Sequence, residues 1–195
     1  MKNMNWEGVE ESTPVKRPEP GGYVVRITAA EDKAAREYVN LVYDIAEGPY
    51  AGFYSDDFGR RNDWAHRFVR SYKDSCEGMF KAFLTRLAES NPGFSVAAWQ
   101  RRCDVRDFVG LTLGIVLQYE DYTNESGEDK ERLQVVGVYN VDTIRSGDYK
   151  VPARKDSRKA HGAVAAADAF DPAGYAYTAP GEQVPASVYD DLPFN

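Results

Sequence analysis

The chain has 195 residues, of which 43% are apolar and 28% charged, and its formal charge is −7. That length suits one core-forming domain with a tail, and that charge excludes a polycation that grips nucleic acid by bulk attraction. No apolar run approaches the roughly 18 residues of a membrane span; the polar, acidic stretch Met1–Glu11 does not read as a secretory leader, and two cysteines, Cys76 and Cys103, fit a reducing cytosol and make no zinc site by themselves.

The spacing predicts a first strand over Gly22–Ala29, where Tyr23, Val25 and Ile27 alternate with Val24, Arg26 and Thr28. A second strand follows at Tyr38–Glu47, with Leu41, Tyr43 and Ile45 on one face, ended by Gly48-Pro49. A third is expected at Gly52–Phe58, and Gly59–Tyr72 reads as irregular. Lys73–Glu89 then carries a helical stripe, Cys76, Met79, Phe80, Phe83, Leu84 and Leu87. Ser71 with Asp74 is a capping signal, and Asn91-Pro92-Gly93 stops the helix. Val109–Thr123 is a long strand with Leu111, Leu113, Ile115, Leu117 and Tyr119 inward; a polar turn around Gly127 leads to its hairpin partner, Lys130–Val141.

The expected fold is therefore all-β with one helix, in the order β-β-β-α-β-β. That is the chain order of a five-stranded OB-fold-like barrel. The helix should close one end of it, with Cys76, Phe80, Phe83 and Leu87 buried. The domain is expected to span residues 1–152. Residues 153–186 are rich in Ala, Gly, Pro and charge, too poor in large aliphatics to offset the entropy of ordering, and read as a flexible, disordered linker. Residues 187–195 form an acidic, aromatic tip.

The densest mixture of cations and rings is Tyr54–Lys73. From Gly59 to Lys73 it holds five Lys or Arg against one Asp, a local +4. Cations can track phosphates while ring faces stack on bases, which is what a single-strand groove requires. The candidate DNA-binding residues are Tyr54, Phe58, Arg60, Arg61, Trp64, Arg67, Arg70, Tyr72 and Lys73. The plain alternative makes Trp64 and Phe68 core and the arginines a solvated face. In an OB barrel the segment would leave strand three beside the face that binds oligonucleotides. A second cluster, Trp99, Arg101, Arg102 and Arg106, reads more simply as a surface loop before a strand, and the acids Glu125, Glu128 and Asp129 argue against phosphate contact at the last hairpin turn.

Enzyme readings find no support. His66 and His161 lie in different regions, the adjacent pairs Asp56-Asp57 and Glu10-Glu11 fall on opposite strand faces, and there is no GxxxxGK loop, GxSxG elbow or HExxH helix. No enzyme activity, cofactor or metal is expected.

The tip is a different kind of signal. Asp190 and Asp191 precede Leu192, Pro193 and Phe194, so two carboxylates suit a basic rim and two apolar side chains an apolar pocket, with Pro193 lowering the entropy cost of docking. It resembles the C-terminal tip of bacterial single-stranded DNA-binding proteins, which end in an acidic run, then Ile or Leu, Pro and Phe. In those proteins the Phe is terminal; here Asn195 follows. The resemblance implies an OB-fold core, a disordered linker and a tip that recruits replication, recombination or repair proteins.

Residues 3–152 are similar to a family of phage and prophage proteins found near replication and recombination genes. The similarity rests on Met4-Asn5-Trp6-Glu7, Pro20-Gly21-Gly22-Tyr23, Tyr43-Asp44-Ile45-Ala46-Glu47-Gly48, Arg70-Ser71-Tyr72-Lys73, Glu89-Ser90-Asn91-Pro92-Gly93-Phe94 and Ile144-Arg145-Ser146-Gly147-Asp148-Tyr149. The resulting expectation is a phage-type single-stranded DNA-binding protein acting in the bacterial host cytoplasm. It would protect single strands and recruit partners through its tip, with no membrane partner and with homo-oligomerisation left open. The alternative is an interaction protein that binds no DNA and occupies tip-reading pockets on host proteins.

Overall fold

A computed structural model describes residues 7–8, 16–55 and 65–158. Five strands form one antiparallel path: β1 (Gly21–Lys33), β2 (Tyr38–Ile45), β3 (Arg67–Ser71), β4 (Thr112–Thr123) and β5 (Asp129–Tyr139), in the spatial order β3-β2-β1-β4-β5. The main helix, α1 (Glu77–Ser90), lies in the chain between β3 and β4. The protein is thus mostly antiparallel sheet with a single main helix, an OB-like fold.

β1 is the hinge of the architecture. Its first half pairs with β4, from Gly21 opposite Leu117 to Arg26 opposite Thr112, and its length from Val25 pairs with β2. One extra residue between Ile27 and Ala29 breaks the register with β2, a bulge that bends the strand so that it can serve two partners. The alternation then places Val25, Ile27, Val39, Leu41, Tyr43, Ile45, Leu113, Ile115 and Leu117 in one core, each 2% exposed or less. β3 and β5, the two ends of the path, approach each other, and α1 packs against β3, β4 and β5 at that side. Cys76, Phe80, Phe83 and Leu87 are buried, as the helical stripe predicts.

Two short helices and a sixth strand complete the domain. α2 (Val96–Gln100) starts with the Ser95 hydroxyl accepting the Ala98 N–H. A 3-10 turn, Val105–Phe108, then brings Phe108 into the core, where Trp99 stacks on it at 5.2 Å between centroids. α3 (Val141–Ser146) covers the outer side of β1 and β4. That approach requires glycine: a Cβ on Gly22 would stand 2.4 Å from the Tyr149 ring, and one on Gly114 2.5 Å from Ile144. Several polar side chains tie this seam together. Arg145 pairs with Glu47 at 2.5 Å, Asn140 donates to Glu89, the Ser90 hydroxyl accepts the Val141 N–H, and Asn91 exchanges hydrogen bonds with Thr112.

Three expectations need correction. Among the described residues the third strand is Arg67–Ser71; of the expected Gly52–Phe58, residues 52–55 are turns and 56–58 lie outside the described residues. Residues 50–55 are turns, because one Asp44 carboxylate oxygen accepts the N–H of both Ile45 and Tyr54 and so curls the chain back on β2, with Gly48 and Gly52 at positive φ. The predicted side-chain cap at the main helix is absent: α1 is entered through a 3-10 turn, Asp74–Cys76, and the Ser71 hydroxyl instead accepts the Lys73 N–H. Finally, the expected linker does not begin at 153. Lys155–Ser157 forms β6, pairing in parallel with Glu120–Tyr122 of β4. The rest of the linker and the whole tip, including Asp190, Asp191, Leu192, Pro193 and Phe194, lie outside the described residues.

Candidate nucleic-acid interface

Within the basic, aromatic segment, Arg67–Ser71 is strand three itself rather than a stretch that leaves it. β3 pairs with β2 so that Arg67 faces Val42, Phe68 faces Leu41 and Val69 faces Asn40. Leu41 and Phe68 point into the core, so period-two alternation turns Asn40, Val42, Arg67 and Val69 outward. Across β2, Arg26 of β1 stands opposite Asp44. The outward face of β1-β2-β3 therefore carries Arg26 and Arg67 two strands apart, roughly 10 Å laterally, with half-buried Val42 and Val69 nearby. The register places two acids on this face: Asp44, whose carboxylate accepts from two backbone N–H groups, and exposed Glu31, opposite Asn40 and paired with Lys33.

The predicted residues divide by burial. Tyr54 is 2% exposed and belongs to the core, edge-on to Tyr43 and Phe53, so it cannot stack on a base; this corrects its assignment as a DNA contact. Tyr54 opens the stretch of cations and rings in sequence, but the Asp44 turn rolls it inward. Arg67 is exposed, and its Nε donates to His66 Nε2 at 3.3 Å. Arg70 sits in the inward register, opposite Val39, with its guanidinium 4.9 Å from the Phe68 ring centroid and one N–H donated to the Val69 carbonyl. Tyr72 is half-buried and donates its hydroxyl to Asp32 at 2.8 Å. Burial first, then that carboxylate, pushes the phenol up to about 12, so it remains a protonated tie between β1 and the approach to α1. Lys73 is half-buried at the same corner. Phe58, Arg60, Arg61 and Trp64 lie outside the described residues.

Arg26, Val42 and Val69 were missed as candidates. The alternation of the first strand already put Arg26 on the outer side, but only the pairing register shows which side chains of β2 and β3 share its face.

The second cluster takes the plainer reading. Trp99 is buried and donates its indole N–H to the Asp104 carbonyl, while Arg102 pairs with Asp107 at 2.5 Å and Arg106 with Asp104 at 2.6 Å. The Arg106 guanidinium beside it holds the Asp104 carboxyl down to about 2. Among the described residues no group of three His, Cys, Asp or Glu side chains is placed to hold a metal ion, and no helix is long and apolar enough to cross a membrane.

What the face offers chemically is the cations Arg26 and Arg67 beside half-buried Val42 and Val69, with Asp44 on the strand between them. That combination suits a chain with regularly spaced anions and flat apolar groups. Neither a protein-family model nor a curated protein sequence matches the chain.

Proposed function

We propose that this protein binds single-stranded DNA across the outward face of β1-β2-β3, protecting it during phage replication or recombination in the host cytoplasm. In this reading residues 187–195 recruit replication, recombination or repair proteins, and the chain is not an enzyme. The observation that carries the reading is the placement of Arg26 and Arg67 around Val42 and Val69 on the side of an OB-like sheet where such folds take oligonucleotides. A net charge of −7 is compatible, since contact depends on the local field of the face rather than on the whole molecule.

The test is the affinity of the full chain for a fluorescent oligo-dT strand over a range of salt. Arg26→Ala and Arg67→Ala are each expected to weaken binding and to lower the slope of log affinity against log salt by about 1. Val42→Ala is expected to weaken binding with the slope unchanged, because an apolar contact releases no counterions. Wild-type affinity and slope in all three variants would move the site to another face. No binding by the wild type would leave the DNA-independent interaction protein as the better reading.

A further inference from the structure

β1 stops pairing with β4 at Leu117, which leaves the following residues of β4 as an open edge on that side. The chain returns to cover it. After α3, the segment Ala153–Arg158 runs along this edge, with β6 paired to Glu120, Asp121 and Tyr122. No residue of this segment belongs to either apolar cluster. Period-two alternation sends Lys155 and Ser157 to one side and Arg154 to the other.

On the first side stands Glu120, whose side chain is 3% exposed. One of its oxygens accepts from Lys155 at 3.0 Å and from the Ser157 hydroxyl at 2.7 Å; the other accepts from Arg132 of β5 at 2.6 and 2.7 Å. On the second side, Asp121 and Glu131 are directly opposed in the β4–β5 ladder, a like-charge pair that destabilises a sheet. Arg154 bridges both carboxylates and lies 5.5 Å from the Tyr119 ring centroid. Gln118 donates its amide to the Ala153 carbonyl.

We propose that Ala153–Arg158 is a strap latched by Glu120, which opens as its own unit without unfolding the barrel, and which when closed covers the β4 edge. Glu120 is a positioning residue here: half of its hydrogen bonds brace β5 and half hold the strap. The strap contributes no side chain to the barrel core, so its release removes no packing from the core. Covering an edge in this way keeps unpaired backbone groups from recruiting another strand. The inference is independent of what the β1-β2-β3 face binds.

Hydrogen exchange of the full chain, followed by mass spectrometry, tests it. In the wild type, strap amides should exchange through an opening that leaves β1, β2 and β3 protected. Glu120→Gln, and separately the double variant Lys155→Ala with Ser157→Ala, should each speed exchange in 153–158 by about tenfold or more while the β1–β2 ladder keeps its wild-type rates. The double variant leaves the Glu120–Arg132 pair intact, so it isolates the latch from any effect on β5. Unchanged strap exchange in the double variant would overturn the proposal. So would a wild type in which strap and barrel exchange only together.

Discussion

The two outer hairpins of the sheet are held in opposite ways. In β2–β3 the core does the holding: Leu41 and Tyr43 are 0% and 1% exposed, Phe68 packs between the strands, and the Tyr43 hydroxyl donates to the Ala65 carbonyl where the chain enters β3. In β4–β5 the core supports the strands only as far as Tyr119 and Leu133. Beyond them the ladder runs on through Glu120–Arg132, Asp121–Glu131, Tyr122–Lys130 and Thr123–Asp129, and charge takes over from packing. Glu120 has Arg132 and Lys155, Asp121 and Glu131 share Arg154, and Glu128 pairs with Lys130. Where apolar side chains fix the strands, the ladder does not rest on ion pairs; where they do not, cations are consumed as structure. This is why the β2–β3 side, and not the more heavily charged β4–β5 arm, is the candidate interface.

The contrast breaks most visibly on deleting a core side chain from one hairpin and an ion pair from the other. Leu41→Ala is expected to cost about 2–5 kcal/mol of unfolding free energy, the range for emptying a packed site. Arg154→Ala, whose guanidinium is half exposed, should cost far less, because solvent screens exposed ion pairs. Urea unfolding of both variants measures the difference. Equal losses would mean that the arm is as much part of the cooperative unit as the barrel.

A smaller change sharpens the same point within β2–β3. Tyr43→Phe keeps the ring packed against Tyr54 and Phe68 but removes the donor to the buried Ala65 carbonyl. The expected loss is about 0.5–1.5 kcal/mol, the net contribution of one intramolecular hydrogen bond. If instead unfolding is unchanged, the entrance to β3 is held by its ladder with β2 alone.

The parts of this fold that carry apolar periodicity were legible. The stripe Cys76 to Leu87 made a helix, and the alternations at Tyr23–Ile27, Leu41–Ile45 and Leu113–Tyr119 made strands with those residues inward. What lacked an apolar pattern was misread. β3 is short, and its two arginines flank a Phe-Val pair, so it read as irregular; Tyr54 was counted with the arginines although a carboxylate ten residues earlier folds it inside. β6 has no apolar residue at all, so composition marked it as linker. Its partners, Glu120, Asp121 and Glu131, are far away in sequence, and no local rule connects them to it. For the candidate site, residue types were readable but the shared face was not, since Arg26 and Arg67 meet only through the register of the strand between them.

The mildest way to loosen the arm without touching the barrel is acid. Burial pushes the Glu120 carboxyl up, but the Ser157 hydroxyl, Lys155 and Arg132 together outweigh it, and the group sits below its ordinary value of 4.5. A carboxyl whose value is lowered in the folded state stabilises above its unfolded value, and that contribution is lost as pH falls through the lowered one. The strap should therefore stay closed through neutral and mildly acidic conditions and loosen only below 4.5. Asp121, held down by Arg154, titrates in the same direction and adds to the effect. Salt separates the two: the exposed Arg154 pairs are screened, while the buried Glu120 contacts are screened much less. Amide chemical shifts of residues 153–158 from pH about 7 down to about 3, at low and high salt, follow the opening. In Glu120→Gln the acid-dependent step should shrink and the salt-dependent part grow. An identical acid transition in that variant would assign the step to carboxylates other than Glu120, and the arm would then be held by its surface pairs alone.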